Sequence, residues 1–287
     1  GLTDYTGSCD AGTGAYSIPS VSFSANDTLT LYIDGETEQA ANISTDPVSN
    51  ISNMHLYEDR VIVRHEGATP ISISDMADWD SSDDADIPFT ALTGAPDSLT
   101  LPAGVKLIVW NDKTFAPDGD VTIGDSLELY AGADYVAADG ETHTVGASLI
   151  SGAGAQVLAA ESDFVFTATA GGQVVDLNEG DLYNVSFTGS GDWTISDPTF
   201  TAGGDVVISA GDVTLPTGTT TIAGSFDNTG GSFDANTGVL YFTASTSGQT
   251  VEFGGSDAHT VLFSGAGDWS FADTHATATD SFTVATG

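Results

Sequence analysis

The chain has 287 residues, with 41 acidic side chains against four basic ones and a formal net charge of −37. This charge argues against nucleic-acid partners and anionic membrane surfaces, which both attract lysine and arginine. No apolar run reaches the length of a membrane-spanning helix, so we expect no membrane insertion. The charge fits a protein that stays soluble in salt or takes up cations.

Composition also predicts the fold class. Glycine is abundant, at 34 residues, and the apolar positions are mostly Val, Ile, Leu and Phe in short runs between Gly, Asn and Asp. This composition is typical of short strands joined by tight turns, and no sustained helical periodicity is present. The single cysteine, Cys9, excludes a disulfide within the chain. We therefore predict an all-β protein.

Residues 1–95 differ from the rest of the chain and hold Cys9, both methionines and both arginines. SVSFSANDTLTLYIDG (20–35) alternates and predicts a pair of strands, and MHLYEDRVIVRHEG (54–67) predicts another strand. SNIS (49–52) resembles YNVS (183–186), which suggests an irregular start of the regular region that follows. A separate small β domain, acting as an N-terminal cap or assembly segment, is equally compatible with the sequence.

An acidic loop, DWDSSDDAD, follows at residues 78–86. Calcium prefers six to eight oxygen ligands, and closely spaced carboxylates repel one another unless a cation or solvent screens them. The spacing lacks the glycine and terminal glutamate of an EF-hand, and a solvated acidic loop is the alternative. The candidate calcium ligands are Asp78, Asp80, Asp83, Asp84 and Asp86; the pairs Asp192/Asp197 and Asp268/Asp273 are weaker candidates.

Residues 96–287 contain internal repeats. A shift of 76 residues aligns 162–211 with 238–287 without a gap and superimposes GSGDWTISD (189–197) on GAGDWSFAD (265–273). A shift of 85 aligns NDKTFAPDGDVTI (111–123) with SDPTFTAGGDVVI (196–208). A shift of 114 aligns LTLPAG with VTLPTG, and also Asp78-Trp79 with Asp192-Trp193. Such self-similarity is the signature of a repeat architecture.

Within 206–242, apolar strand cores recur about every seven residues, and every third core recurs at about 20 residues. Three short strands in a turn of this length indicate a parallel β-helix, or β-solenoid, whose stacked turns bury columns of inward apolar side chains. We predict a solenoid domain over 96–287, preceded by an irregular N-terminal β region over 1–95.

The repeated Asp-Trp stretch has two interpretations. Trp193 and Trp269 could stack on sugars as carbohydrate-binding residues. Alternatively, a tryptophan at a repeated corner covers the edge of the core, and the surrounding glycines and alternating residues favour this second interpretation.

Modules such as DVTLPTGTTTIAGSFDNTGGSFDANTGVLYFTASTSGQTV (212–251) resemble the repeats of bacterial and archaeal cell-surface β-helix proteins, including adhesin-like and filament-forming ones. The resemblance covers roughly residues 96–287 and rests on repeat style. It implies an extracellular structural or adhesive role, and it assigns no functional residues.

No catalytic function is expected. The five histidines show no zinc spacing, and neither a serine elbow nor a nucleotide-binding fingerprint is present. A lyase acting on acidic sugars needs cationic groups, and no basic residue follows Lys113. Carboxylate pairs for glycoside hydrolysis could be drawn anywhere in so acidic a chain. Four sequons would permit glycosylation outside the cell, at Asn26, Asn42, Asn50 and Asn184.

The sequence ends at SFTVATG (281–287), inside a repeat, which predicts an exposed last turn. Either the natural chain continues, or another copy supplies the next turn in a head-to-tail homopolymer. The function predicted from the sequence is a non-enzymatic subunit of an extracellular filament or surface layer, with cations such as calcium screening the acidic charge between neighbouring copies. The alternative is an adhesin that binds cell-surface glycans or a receptor, or a viral fibre.

Overall fold

The computed structural model describes residues 4–25, 27–47, 50–178 and 180–285. It confirms the predicted fold class: a parallel β-solenoid of about 12 turns with about 21 residues per turn, preceded by an irregular region that contains antiparallel strands. In the described ranges the one helix has four residues, so none is long and apolar enough to cross a membrane.

The described chain forms 28 strands and one helix. In chain order they are β1 (Thr28–Tyr32), β2 (Ala40–Thr45), β3 (Arg60–His65), α1 (Ile73–Met76), β4 (Thr90–Leu92), β5 (Asp97–Thr100), β6 (Lys106–Val109), β7 (Thr114–Phe115), β8 (Gly119–Ile123), β9 (Leu127–Leu129), β10 (Asp134–Val136), β11 (Thr142–Val145), β12 (Leu149–Ser151), β13 (Gln156–Leu158), β14 (Asp163–Phe166), β15 (Gln173–Asp176), β16 (Asn184–Phe187), β17 (Asp192–Ile195), β18 (Phe200–Ala202), β19 (Val206–Ile208), β20 (Asp212–Thr214), β21 (Thr219–Ile222), β22 (Phe226–Asp227), β23 (Ser232–Asp234), β24 (Val239–Phe242), β25 (Gln249–Glu252), β26 (Asp257–Phe263), β27 (Trp269–Phe271) and β28 (Thr277–Val284).

The strands line three faces. The first face runs β1-β2-β3-β6-β9-β12-β15-β17-β20-β23, and the second runs β4-β5-β8-β11-β14-β16-β19-β22-β25-β27. The third face consists of β7-β10-β13 and then β18-β21-β24-β26-β28. Two isolated parallel bridges, Leu158 with Asp181 and Leu182 with Ala202, carry the third face across the gap between its two sheets.

Alternation explains why these short segments are strands. In most of them one side chain points inward and the next outward, so Val, Ile, Leu and Phe alternate with Thr, Ser and Asp. Among the exceptions are β2, β3 and β6, which are buried along almost their whole length. Parallel register then stacks equal positions: on the second face Phe164, Val185, Val206 and Phe226 follow one another and are all buried. One turn cannot bury these residues alone, so the stack is the stable unit.

At the corners, where strands begin and end, polar side chains accept hydrogen bonds from backbone N–H groups. At the start of the second-face strands, Asp120 accepts from the backbone N–H of Thr142 at 2.8 Å, and Asn184 accepts from that of Asp205 at 2.9 Å. Asp205 accepts in the same way from the N–H of Ser225 at 2.7 Å. Each side chain thus satisfies an N–H of the following turn, which would otherwise lack a partner beyond the strand.

The N-terminal end of the solenoid is closed by non-repeating structure. β1 pairs antiparallel with β2, and β4 pairs antiparallel with β5. Between them α1 buries Ile73 and Met76, and Ser72 and Asp75 cap it with a reciprocal capping box. β2 and β3 pair parallel and continue into β6, so residues from the N-terminal region form part of the first face.

Two sequence-based details of this region need correction. The strand pair predicted over 20–35 is present only as β1, whose partner is β2, and residues 20–25 form no strand. The Asp78-Trp79 pair is not equivalent to Asp192-Trp193, because it lies in the turn after α1 and not in a strand. Trp79 packs against the core from this turn.

Candidate functional site

The Asp-Trp stretch forms a corner and the start of a strand. Trp193, on β17, is 1% exposed, and its ring packs against Phe187 with centroids 5.3 Å apart. Trp269, on β27, is partly buried and packs against Phe263 at 5.1 Å. The first contact lies between the second and first faces, and the second between the third and second faces. The second copy of the 76-residue repeat therefore keeps the same local packing. Its aromatic contact, however, lies two faces further around the three-faced solenoid.

The glycines of this corner are required by close approach of the preceding turn. A Cβ added to Gly189 would lie 2.0 Å from the carbonyl oxygen of Ala168, and one added to Gly265 would lie 2.0 Å from that of Ala244. Both contacts are far inside van der Waals distance. The two corners therefore have the same backbone geometry, which explains why glycine recurs at these positions.

The aspartates that end the two stretches are also structural. Asp197 accepts a hydrogen bond from the backbone N–H of Leu177 at 2.7 Å, and Asp273 accepts from that of Phe253. Asp268 accepts from the N–H of Gly248 at 3.1 Å. These three carboxylates of the weaker candidate metal pairs hold neighbouring turns together, whereas the fourth, Asp192, is exposed.

The burial of Trp193 corrects its assignment as a carbohydrate-binding residue. A side chain that is 1% exposed cannot present a ring face to a sugar. Trp269 is less buried, but its ring also packs on the core at Phe263. The corner interpretation is the one that this geometry supports.

The acidic loop divides into a buried anchor and an exposed edge. Asp80 is 2% exposed, and its carboxylate accepts from the backbone N–H groups of Ala91 at 2.7 Å and Ser82 at 2.8 Å. Its oxygens are therefore used to fix the loop. Asp78 and Asp83 are exposed. In the described ranges neither joins a group of three carboxylates.

Asp84 and Asp86 do converge, and their third partner is Asp34, from the segment between β1 and β2. One oxygen from each of the three carboxylates lies within 4.8 Å of the others. Asp84 accepts from the Tyr32 hydroxyl at 2.9 Å, and Asp86 accepts from the N–H of Gly35 at 2.6 Å. Burial, and then the hydrogen bond to Asp84, raise the pKa of Tyr32 to about 12, so the hydroxyl stays protonated and donates.

Carboxylate oxygens are suitable ligands for a hard cation, but this cluster provides too few of them to complete its coordination. Three carboxylates supply half or fewer of the oxygens that calcium takes, and the rest would have to come from carbonyl groups or water. Sequence reasoning found Asp84 and Asp86 but missed Asp34, because Asp34 is about 50 residues distant in the chain and only the packing of its segment against the loop brings it close.

The sequons differ in accessibility. Asn42 is fully buried and its amide donates to the carbonyl of His55 at 3.0 Å, so a glycan on Asn42 is incompatible with this fold. The Asn184 amide donates to Asp163 at 2.8 Å within the polar series along the second face. Asn50 is exposed. Asn26 lies outside the described residues.

One polar pair lies inside the core. The Tyr135 hydroxyl oxygen and the His143 Nδ1 are 2.8 Å apart, and both residues are fully buried against Phe164. The other imidazole nitrogen, Nε2, has no hydrogen-bond partner in the described structure and lies 3.6 Å from Glu141. Burial lowers the pKa of His143 to about 4, although Asp120 and Asp163 oppose that shift.

We expect this pair to make the fold acid-sensitive. Unfolded His143 binds a proton near pH 6.5, whereas folded His143 does so only near pH 4, so its contribution to stability is complete above pH 6.5 and is lost as the pH falls to about 4. The Tyr135→Phe/His143→Phe variant replaces both partners with apolar rings. Between pH 7 and pH 4 the unmodified protein should lose ~3 kcal/mol more unfolding free energy than the variant, measured by urea titration. Equal losses would refute the role of His143.

The two ends of the solenoid differ. At the C-terminal end, β28 is the edge strand of the third face and β27 is the edge strand of the second. Their apolar side chains reach solvent: Phe271 is 37% exposed, Phe282 is 49% exposed and Val284 is 67% exposed. Phe282 also packs on Phe263 of the preceding turn, with tilted rings whose centroids are 5.6 Å apart. The apolar columns of the core therefore continue into the last described turn.

Comparison with protein-family models, curated proteins and solved structures finds no match to this chain. The β-solenoid fold is shown by the structure itself. The resemblance to cell-surface and adhesin-like repeat proteins rests on repeat style alone.

Proposed function

We propose that this protein is a structural subunit of an extracellular filament or surface layer and stacks end to end on other copies. The observation that carries the proposal is the parallel solenoid of about 12 turns, whose stacked strands bury continuous columns of apolar side chains. If another copy pairs with the outer edge of β28, the exposed side chains of Phe271, Phe282 and Val284 become buried and the columns of the core are extended.

A second copy is the occupant that fits this edge best. The contact would join the C-terminal end of one solenoid to the N-terminal end of another, so the two surfaces differ. Heterologous contacts of this kind repeat without closing unless the geometry forces a ring, and they produce filaments. The exposed side chains continue the inward columns of the third face, so this surface has the apolar composition of the solenoid core.

Charge would control this assembly. Each copy carries a net charge of −37, so approach of two copies is opposed at low ionic strength. We propose that salt or calcium screens this repulsion and that Asp34, Asp84 and Asp86 hold one such cation weakly. The proposed role is non-enzymatic and extracellular, where Asn50 would be accessible for glycosylation.

The alternative, a glycan-binding adhesin, has one observation in its favour. At the break in the third face a groove of about 400 Å³ is lined by exposed Leu158 together with Gln156, Asp181 and Tyr183. The Tyr183 ring lies close over Gly203, where an added Cβ would be 2.9 Å from the ring. An aromatic ring beside amide and carboxylate groups could contact a sugar. Binding to a glycan array that is lost in Tyr183→Ala would favour this function.

We expect the purified chain to form rods that sediment and are visible by negative-stain microscopy, increasingly so with NaCl or CaCl₂. Phe282→Asp/Val284→Asp should remain monomeric, because two carboxylates would replace the apolar contact at an acidic edge. The matched control is Ile150→Asp, which places a carboxylate at a 40% exposed apolar position on the first face. This control should assemble like the unmodified chain.

Calcium screening can be separated from simple ionic strength in the same assay. CaCl₂ should promote assembly more than NaCl of equal ionic strength, and this excess should disappear in Asp84→Asn/Asp86→Asn. Dispersed monomers of the unmodified chain in every condition would contradict the proposed function. Normal assembly of the Phe282/Val284 variant would contradict the proposed interface.

A further inference from the structure

Four aromatic side chains lie together beside the first face of the solenoid. His55 and Tyr57 precede β3, Trp110 directly follows β6, and Tyr130 directly follows β9. In the order Tyr57, His55, Trp110 and Tyr130, neighbouring ring centroids are 5.8, 5.4 and 5.3 Å apart. Because β6 and β9 pair in register, Trp110 and Tyr130 occupy equivalent positions of neighbouring turns. We call these four residues the aromatic patch.

The aromatic patch is accessible to solvent, unlike the aromatic columns inside the solenoid. Tyr57 is 41% exposed, His55 is also exposed, and Trp110 and Tyr130 are partly exposed. In the described ranges, Trp110 and the two tyrosines belong neither to the hydrophobic core nor to the side chains packed against it. The patch therefore differs from the repeated Asp-Trp corners, whose tryptophans pack on the core.

The few basic side chains of the protein lie in the same part of the chain. All four occur between residues 60 and 113, although the chain has 41 acidic residues: Arg60, Arg64, Lys106 and Lys113. The guanidinium carbon of Arg60 lies 5.8 Å from the centroid of the Tyr57 ring, which is within the range of a cation–π contact. Arg60 also donates to the backbone carbonyl of Glu58 at 3.1 Å, and among the described residues it has no carboxylate partner.

The polar groups around the aromatic patch carry both signs of charge. The Lys106 ammonium pairs with the Glu128 carboxylate at 2.7 Å, and both side chains stay partly exposed. Burial, and then the charge of Glu128, raise the pKa of Tyr130, whereas Arg60 and Lys106 oppose this shift. The Tyr130 hydroxyl therefore stays protonated at neutral pH and lies near all three charged groups. The patch thus has hydrogen-bond donors and acceptors beside its rings.

We propose that the aromatic patch binds a neutral saccharide chain. The rings contact the C–H faces of the sugar units, and Arg60, Lys106 and Glu128 exchange hydrogen bonds with the sugar hydroxyls. This binding goes beyond the proposed function and does not require assembly. The C–H groups of a sugar carry small positive partial charges, which suit the negative face of an aromatic ring. Hydroxyl groups both donate and accept, so they match the guanidinium, ammonium and carboxylate groups alike.

Charge selects a neutral saccharide over a charged one. The net charge of −37 repels an anionic polysaccharide, most strongly at low ionic strength. At the patch itself, Arg60 and Lys106 disfavour a cationic polymer, because like charges would have to approach one another. The pair of Lys106 and Glu128 is neutral as a unit, and both of its side chains reach solvent. A neutral, hydroxyl-rich ligand can approach without either repulsion.

Isothermal titration calorimetry tests the proposal with three neutral hexasaccharides, of β-linked glucose, N-acetylglucosamine and mannose, and with polygalacturonate as the anionic probe. At least one neutral hexasaccharide should bind, and more tightly than polygalacturonate. Tyr57→Ala should weaken that binding about tenfold, as loss of one important contact does. The unfolding midpoint should change little, because the Tyr57 ring is 41% exposed. Trp110→Phe should keep the binding and remove the change in tryptophan fluorescence that accompanies it.

Two other tyrosines provide matched controls. Tyr241→Ala removes a partly exposed ring from β24 on the third face, and Tyr183→Ala removes the ring beside the groove of the third face. Neither substitution should weaken binding. Phe282→Asp/Val284→Asp should bind the hexasaccharide as tightly as the unmodified chain does, so a failure of binding and a failure of assembly are measured separately.

Three results would overturn the proposal. The first is absence of binding to all three neutral hexasaccharides, and the second is binding to polygalacturonate alone. The third is binding that Tyr57→Ala leaves unchanged or that Tyr183→Ala abolishes, which would mean that the aromatic patch only covers the first face.

Discussion

Replacing Trp193 with alanine should lower the free energy of unfolding by ~4 kcal/mol, the range found for deletion of large buried aromatic side chains. Trp193 is 1% exposed and packs on Phe187, and little of the surrounding solenoid can collapse into the space. Trp269→Ala should cost about half as much or less, because Trp269 is only partly buried near the last turn. Guanidinium titration followed by circular dichroism measures both losses.

Two further measurements distinguish a packing role of Trp193 from a ligand-binding role. Trp193→Phe keeps a ring in the core and removes an N–H that has no hydrogen-bond partner in the described structure, so its loss should be well below that of alanine. A Trp193→Ala protein with unchanged stability and reduced affinity for a glycan would show that Trp193 is a ligand contact and not a corner residue.

Gly189→Ala is the second substitution with a large expected effect, ~3 kcal/mol of lost unfolding free energy. The new methyl group would lie 2.0 Å from the carbonyl oxygen of Ala168, so the backbone of one turn must move away from the other. Gly265→Ala should cost a similar amount, because its Cβ would meet Ala244 at the same distance. The thermal midpoint and denaturant titration report the change.

The matched control for these glycines is Gly94→Ala. The nearest atom to an added Cβ there is the Pro96 carbonyl oxygen at 3.7 Å, so the change should stay within ~0.5 kcal/mol. Equal effects at Gly94 and Gly189 would mean that the turns do not approach each other as described.

The turn length and the three-strand turn could be predicted from sequence because the physics is local. Inward apolar and outward polar residues alternate in most strands, and the corners repeat Gly, Asn and Asp, so the repeat period can be read from the sequence. The faces could not be predicted. The repeat of 76 residues is about three and two-thirds turns at about 21 residues per turn, so equivalent residues such as Trp193 and Trp269 lie on different faces.

The acidic loop shows a second feature that could not be predicted from the sequence. Five aspartates in one stretch look alike in sequence, but tertiary contacts give them different environments. Asp80 is buried and holds the loop, while Asp84 and Asp86 meet Asp34 from a distant segment. Pairing of this kind depends on how β1 and β2 pack beside the loop. The strand-like pattern of residues 20–25 is similar: alternation shows that a strand can form, but residues 20–25 form none in the described structure.

Electron cryo-microscopy of rods assembled from the purified chain tests the central claim most directly. If solenoids stack end to end, each subunit adds about 12 turns, and the axial rise per subunit should be roughly 58 Å, with strands perpendicular to the rod axis. Rods in which subunits meet side by side, with an axial rise unrelated to the solenoid length and a solvent-exposed β28 edge, would contradict it.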